Sequence, residues 1–155
     1  MSIDSQVTEL IGRNRLVDEL LRAGVEVAVP QRDRGVDLVA YPDADSRATS
    51  FIARPIQIKA SSKEQFSIDR KYARIRDLIL AFVWHIHDQA RTVTYAVTYP
   101  EALAIGRAMG WAKTLSWVRN GKYTTQRPSK KLVGLLQPHR MTADLWRRKV
   151  MGSRI

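Results

Sequence analysis

The chain has 155 residues, 45% of them hydrophobic and 26% charged, which fits one domain able to bury its own core. It has no cysteine, which excludes a disulfide scaffold, thiolate metal sites and cysteine nucleophiles. Its net charge is +11, and residues 101–155 carry 12 Lys/Arg against only Glu101 and Asp144, so +10 of that charge lies in the last third. A charge serving solubility alone would be spread along the chain; one confined to a third of it suits a surface that meets a polyanion, with nucleic acid the leading candidate. An anionic membrane surface fits less well, because no basic amphipathic helix of convincing length is present. No apolar run approaches the roughly 20 residues a bilayer span needs. The opening Met1-Ser2-Ile3-Asp4 lacks the basic and apolar regions of a secretory signal, so a cytoplasmic protein is expected.

In chain order, Asp4 or Ser5 to Ala23 is predicted to be a helix. Val7, Leu10, Val17 and Leu21, flanked by Ile3 and Ile11, recur at three- and four-residue spacing and would face the core. Asp4 or Ser5 can cap its start and Gly24 suits the position past its end. Asp18 and Glu19 read as solvated charges. Val25–Val29 alternates as a first strand closed by Pro30, and Gln31–Gly35 is a tight turn. Gly35-Val36-Asp37-Leu38-Val39-Ala40 and Arg54-Pro55-Ile56-Gln57-Ile58-Lys59-Ala60-Ser61 read as neighbouring strands, with turn chemistry between them in Pro42-Asp43-Ala44-Asp45-Ser46. Alternation puts Ile56 and Ile58 on one face and Gln57 and Lys59 on the other. Ser67–Arg74 is predicted as a short helix or turn. Leu78–Trp84 is continuously apolar, as a central strand buried on both faces would be. His85 and His87 continue it at strand spacing; they could ligate a metal, although strand-end histidines more often meet solvent or carbonyls. Thr92–Thr98 would pair with that strand as a hairpin. Pro100 opens a helix to about Ala108, with Leu103 and the alanines facing the sheet. Asn120-Gly121 between Leu115–Val118 and Lys122–Thr125 signals a type I′ hairpin. Ser129 caps a helix Lys130–Leu136, and Thr142 caps a last one to about Val150.

Asp37 is the residue this pattern does not explain, since aspartate is depleted from strand interiors. An acid on one strand followed by Gln57-Ile58-Lys59 on the next, after a helix carrying Glu9, resembles the PD-(D/E)XK nuclease-like superfamily over roughly residues 5–100. That resemblance implies an α/β fold: a restriction-endonuclease-like αβββαβ core with a mixed central sheet flanked by helices. Here it would be one domain over residues 1–155, with the core at about 4–110 and a basic C-terminal extension of hairpin and helices beyond it. Gln57 departs from the family's usual carboxylate at that position.

The resemblance also implies a site. Asp37 would bind Mg²⁺ (or Mn²⁺) directly, the Ile58 carbonyl could join it, and Glu9 would act through water. Gln57 would offer a neutral amide oxygen, leaving one negative charge fewer and weaker metal affinity. Lys59 would stand beside the attacking water and the phosphorane. Asp33 could compete as a ligand, and the helix dipole explains Glu9 equally well. Arg70, Lys71 and Arg74, with Arg119, Lys122, Arg127, Lys130 and Lys131, are the candidate nucleic-acid contacts. Trp111, Trp117, Tyr123 and Trp146 interleave with the latter group and would either stack bases or belong to the core. Nucleotide-binding glycine motifs, a serine nucleophile elbow and a zinc-protease motif are all lacking.

Three functions follow: a metal-dependent DNA endonuclease; a module of the same fold that binds nucleic acid without cutting; and a protein-interaction subunit whose basic surface meets an acidic partner. The superfamily often acts as dimers, so a homodimer is also implied, with no interface legible in the sequence.

Overall fold

The computed structural model describes residues 4–43 and 51–152. Ile3 and the turn residues Ala44, Asp45 and Ser46 lie outside them. Helix α1 (Ser5–Arg22) is followed by β1 (Val25–Ala28), β2 (Leu38–Pro42), β3 (Arg54–Ala60), β4 (Phe66–Asp69), β5 (Ile79–Trp84) and β6 (Val93–Thr98). Five of these strands form one sheet in the order β1-β2-β3-β5-β6. Only β3 and β5 run parallel, from Ile56↔Ile79 to Ala60↔Val83; the other neighbours are antiparallel. The fold is therefore α/β with a mixed sheet, as expected. The middle position belongs to β3, however, and β5, buried along all six residues, lies beside it.

Helix α1 starts where expected: the Asp4 carboxylate accepts from the Gln6 amide at 3.0 Å. Its inward face is not the expected one. Gly12, Leu16 and Leu20 are buried, whereas Val7, Leu10 and Leu21 are 44%, 53% and 51% exposed. Gly12 is the reason. A Cβ there would meet the Ala60 Cβ at 2.4 Å, so the missing side chain lets the helix settle onto β3. Leu16 and Leu20 continue that row at i+4 and i+8. Counting apolar residues cannot register a glycine as a contact. Glu19, expected in solvent, instead accepts from Arg15 (3.0 Å), the Thr94 hydroxyl (2.7 Å) and the Trp146 indole (3.1 Å).

Two further expectations fail together. Ser67–Asp69 is strand rather than helix, with a 3-10 turn only at Arg70–Arg74. Leu115–Asn120 is a helix rather than a hairpin arm. The chain after β6 runs through α2 (Tyr99–Ala108), α3 (Leu115–Asn120), β7 (Lys122–Thr125), α4 (Lys130–Leu136) and α5 (Ala143–Met151). Gly121 does take the left-handed conformation a type I′ turn needs (φ +63°), but it uses it to end α3. β7 then pairs with β4, from Phe66↔Thr125 to Asp69↔Lys122.

Thr98 and Glu101 close a capping box on α2, whose inward residues are Ala102, Ile105 and Gly106 while Leu103 is half-buried. Ser129 and Thr142 cap α4 and α5 as expected. One face of the sheet packs against Phe66, Ile68, Tyr72, Trp111, Leu132 and Leu136. The other packs against Leu16, Leu20, Trp146 and Val150.

Candidate functional site

Asp37 stands where β2 and β3 part. Its amide donates to the Ile56 carbonyl at 2.8 Å, while the ladder pairs Ile56 with Leu38. The ladder ends there, since Asp37 immediately precedes β2. The Asp37 Oδ2 accepts from the Ile58 amide at 2.6 Å. The carboxylate so takes over a donor that the departing strand leaves free on β3. It is only 9% exposed.

Beside it lies a cavity of about 90 Å³ lined by Glu9, Arg13, Asp33, Asp37, Gln57, Ile58 and Ala60. One water needs at least about 10–15 Å³ of such volume, so the space suits a few waters or a hydrated ion. It is far below the roughly 300–1,000 Å³ of a site that encloses an organic ligand. Burial raises the Asp37 carboxyl above its ordinary value. The Ile58 amide and the Arg13 guanidinium pull it down, and the charges of Asp33 and Glu9 push it up. Three acids thus converge electrostatically on a space for water, and Asp37 ionises there at a cost.

The cavity gathers Glu9, Asp37, Gln57 and Ile58 from the expected site, together with Asp33. Lys59 is not among the lining residues. Its Nζ lies 5.4 Å from the Tyr72 ring centroid, on the side of β3 that packs under the 3-10 turn. The positive group in the cavity is Arg13, which sequence reasoning missed. Its spacing of four from Glu9, which puts both on one flank of α1, was the available signal.

A hard cation suits this donor set in part. Asp37 offers its second oxygen, and Glu9 and Asp33 supply further oxygens. Among the described residues no group of three acidic, histidine or cysteine side chains stands close enough to hold an ion by itself. The arrangement fits a cation held by one or two carboxylates and otherwise by water, as Mg²⁺ prefers. His85 and His87 do not form a pair: His85 leaves the strand in the left-handed region (φ +56°) and meets Glu64 at 3.3 Å, while His87 lies 3.5 Å from Thr8.

The pairing of β4 with β7 joins two basic groups that are remote in sequence. The Arg70 amide donates to the Gly121 carbonyl at 2.7 Å, and its guanidinium lies 5.0 Å from the centre of the Trp117 ring. Lys122 sits opposite Asp69. Lys71, 3.7 Å from Asp69, and Lys59 both bear on the Tyr72 ring. Arg74 is exposed at the end of the turn, as are Arg119, Arg127, Lys130 and Lys131 on the segments after it. Of the interleaved aromatics, Trp111 and Trp146 are core, with Trp111 stacked on Tyr123 at 4.3 Å. Of the three tryptophans among them, only Trp117 lies half-exposed, with the Arg70 guanidinium across it.

Among the described residues no helix is long and apolar enough to cross a membrane. No family model matches this chain, and neither a curated protein nor a solved structure is significantly similar to it.

Proposed function

We propose that the chain is a metal-dependent nuclease of the PD-(D/E)XK type that hydrolyses phosphodiester bonds in DNA. The observation that supports it most is Asp37, buried at the start of β2 against a water-sized cavity that it shares with Glu9, Asp33 and Gln57. When bound, Mg²⁺ or Mn²⁺ would supply charge neutralisation and an acidified water at that point. Asp37 holds the ligand oxygen fixed, because the Ile58 amide pins its other oxygen. Glu9 orients water around it. Arg13 is placed to receive a phosphate oxygen as charge develops. Lys59 serves from the other flank of β3, within the basic surface around Tyr72. The groups from Arg70 to Lys131 hold the backbone of the nucleic acid.

A second reading is favoured by two observations: Gln57 removes a carboxylate, and Lys59 leans on Tyr72 rather than into the cavity. In that reading the chain binds nucleic acid without cutting it. Supercoiled-plasmid nicking in Mg²⁺, Mn²⁺ and EDTA separates the two. The nuclease reading expects nicking that EDTA stops and that Asp37→Ala abolishes, with DNA affinity nearly unchanged. An Asp37→Ala variant nicking at the wild-type rate would overturn it.

A further inference from the structure

We propose that the cavity between the 3-10 turn and the start of α2 binds a single nucleotide, its base inside and its phosphate at the mouth. This cavity shares no lining residue with the one beside Asp37, so the inference does not rest on the nuclease reading. Its volume is about 350 Å³, within the roughly 300–1,000 Å³ of sites that enclose a small organic molecule. Tyr72, Ile75 and Leu78 from the turn, with Tyr99 and Pro100 from α2, make most of its lining apolar.

The walls are fixed by the fold itself. The Ile75 amide donates to the Tyr72 carbonyl and the Leu78 amide to the Ile75 carbonyl, both at 3.3 Å, so two successive turns follow the 3-10 segment. Asp77, inside the second, takes the left-handed region (φ +61°), which strains a residue with a side chain. Arg54 of β3 holds it there, 3.1 Å from its carboxylate, and also donates to the Val150 carbonyl at 3.3 Å. Strain that the surroundings enforce in this way clusters at ligand sites. Tyr72 is equally immobile: it is buried, with the Lys59 and Lys71 ammonium groups 5.4 and 5.0 Å from its ring centre.

Charge selects the occupant. The exposed Arg74 and Arg76 line the cavity, and Arg54 answers Asp77, so the mouth is left positive. Arg74 makes no ion pair among the described residues, and Arg76 comes no nearer to Asp77 than 3.9 Å. A guanidinium grips a phosphate through two parallel hydrogen bonds. An aromatic ring joined to a phosphate therefore matches both halves of the site, and a nucleotide has that chemistry. A lone anion would leave the apolar walls unused, and an uncharged ring would leave the arginines unused. The 3-10 turn also carries Arg70 and Lys71, so the nucleotide is either free or turned out of a strand lying on that basic surface.

Isothermal titration of the whole chain in EDTA, where no metal-dependent cleavage intervenes, tests the site. Adenosine 5′-monophosphate should bind about tenfold or more tightly than adenosine, benzoate or inorganic phosphate. Arg74→Ala, which removes a charge, and Ile75→Trp, which fills the cavity and keeps every arginine, should each weaken it about tenfold or more. Circular dichroism checks that both variants fold, and either one suffices. No binding of the monophosphate, phosphate or benzoate binding as tightly, or a folded variant of wild-type affinity would overturn the proposal. Displacement of the monophosphate by a DNA duplex with one unpaired adenine, but not by the fully paired duplex, supports the site and assigns the base to a strand. Displacement by neither supports it with a free nucleotide as ligand. Equal displacement by both would put the monophosphate on the open basic surface and overturn the cavity.

Discussion

Replacing Gly12 by alanine tests whether α1 is seated as described. Helix propensity alone favours the change by about 0.8–1 kcal/mol, because glycine is the poorest ordinary helix former. Packing opposes it. The new Cβ would lie 2.4 Å from the Ala60 Cβ, where carbon atoms settle at about 3.5–4.0 Å, so helix and strand must part by over about 1 Å. Ala60 has no rotamer to yield with, and overpacking of this kind costs about 1–3 kcal/mol. The net expectation is a loss of up to about 2 kcal/mol, or up to roughly 8 °C in Tm for a chain of this size. Adding Ala60→Gly removes the opposing methyl, so the double variant should show a favourable coupling of about 1 kcal/mol or more despite the cost of glycine in a strand. Thermal melts of the four proteins supply the cycle. A Gly12→Ala protein at least as stable as wild type would show that α1 does not sit on β3 at this point. The same displacement moves Glu9 and Arg13 away from Asp37, so the single variant should also weaken whatever the cavity does.

Asp37→Asn should raise Tm at neutral pH by about 2–4 °C, corresponding to about 1 kcal/mol, while removing cleavage. Burial lifts the Asp37 carboxyl above its ordinary 3.8, so its ionisation costs native stability as pH rises through the folded value; the advantage of the variant should therefore shrink on acidification. Glu101 behaves oppositely. Burial alone would raise it, but Lys149 (2.8 Å), the Thr98 amide and His139 hold it below 4.5. Its contribution is present above 4.5 and lost as pH falls through the folded value, so wild type should lose Tm more steeply than Glu101→Gln in a melt series across that range. Removing the charges of Arg70 and Lys122 together should weaken DNA binding alike for all sequences and lower the log–log salt slope by up to about two, near 0.9 per lost phosphate contact; an unchanged slope would move the binding face elsewhere.

Elements whose signals are local were legible in the sequence. The capped helices at Asp4, Ser129 and Thr142 and the strands at Ile56 and Ile79 stand where periodicity and caps put them, while the strand expected over Gly35–Ala40 runs Leu38–Pro42. The errors share one cause. β4 finds its partner β7 more than 50 residues away, and no nearby residue announces that pairing. Asn120-Gly121 misled because a hairpin turn and a helix end demand the same left-handed backbone. In the site, Asp37 was singled out as an acid inside a strand; it lies instead just before β2, which begins at Leu38. The direction of Lys59 was not legible: a two-residue period separates the faces of β3, but only the tertiary fold shows which face borders the cavity.

Both faces of the sheet are closed by residues near the end of the chain, Leu132 and Leu136 on one and Trp146 and Val150 on the other. That has a consequence during synthesis. About 66 residues separate the end of β5 from Val150, which at roughly 5–20 residues per second takes about 3–13 s. Throughout that interval the growing chain carries Ile79–Trp84, an apolar strand covered on both sides in the finished fold, with only the N-terminal part of its cover made. Collapse takes microseconds, so the half-covered strand has ample time to find a wrong partner. The fold is closed only when α5 seals the second face.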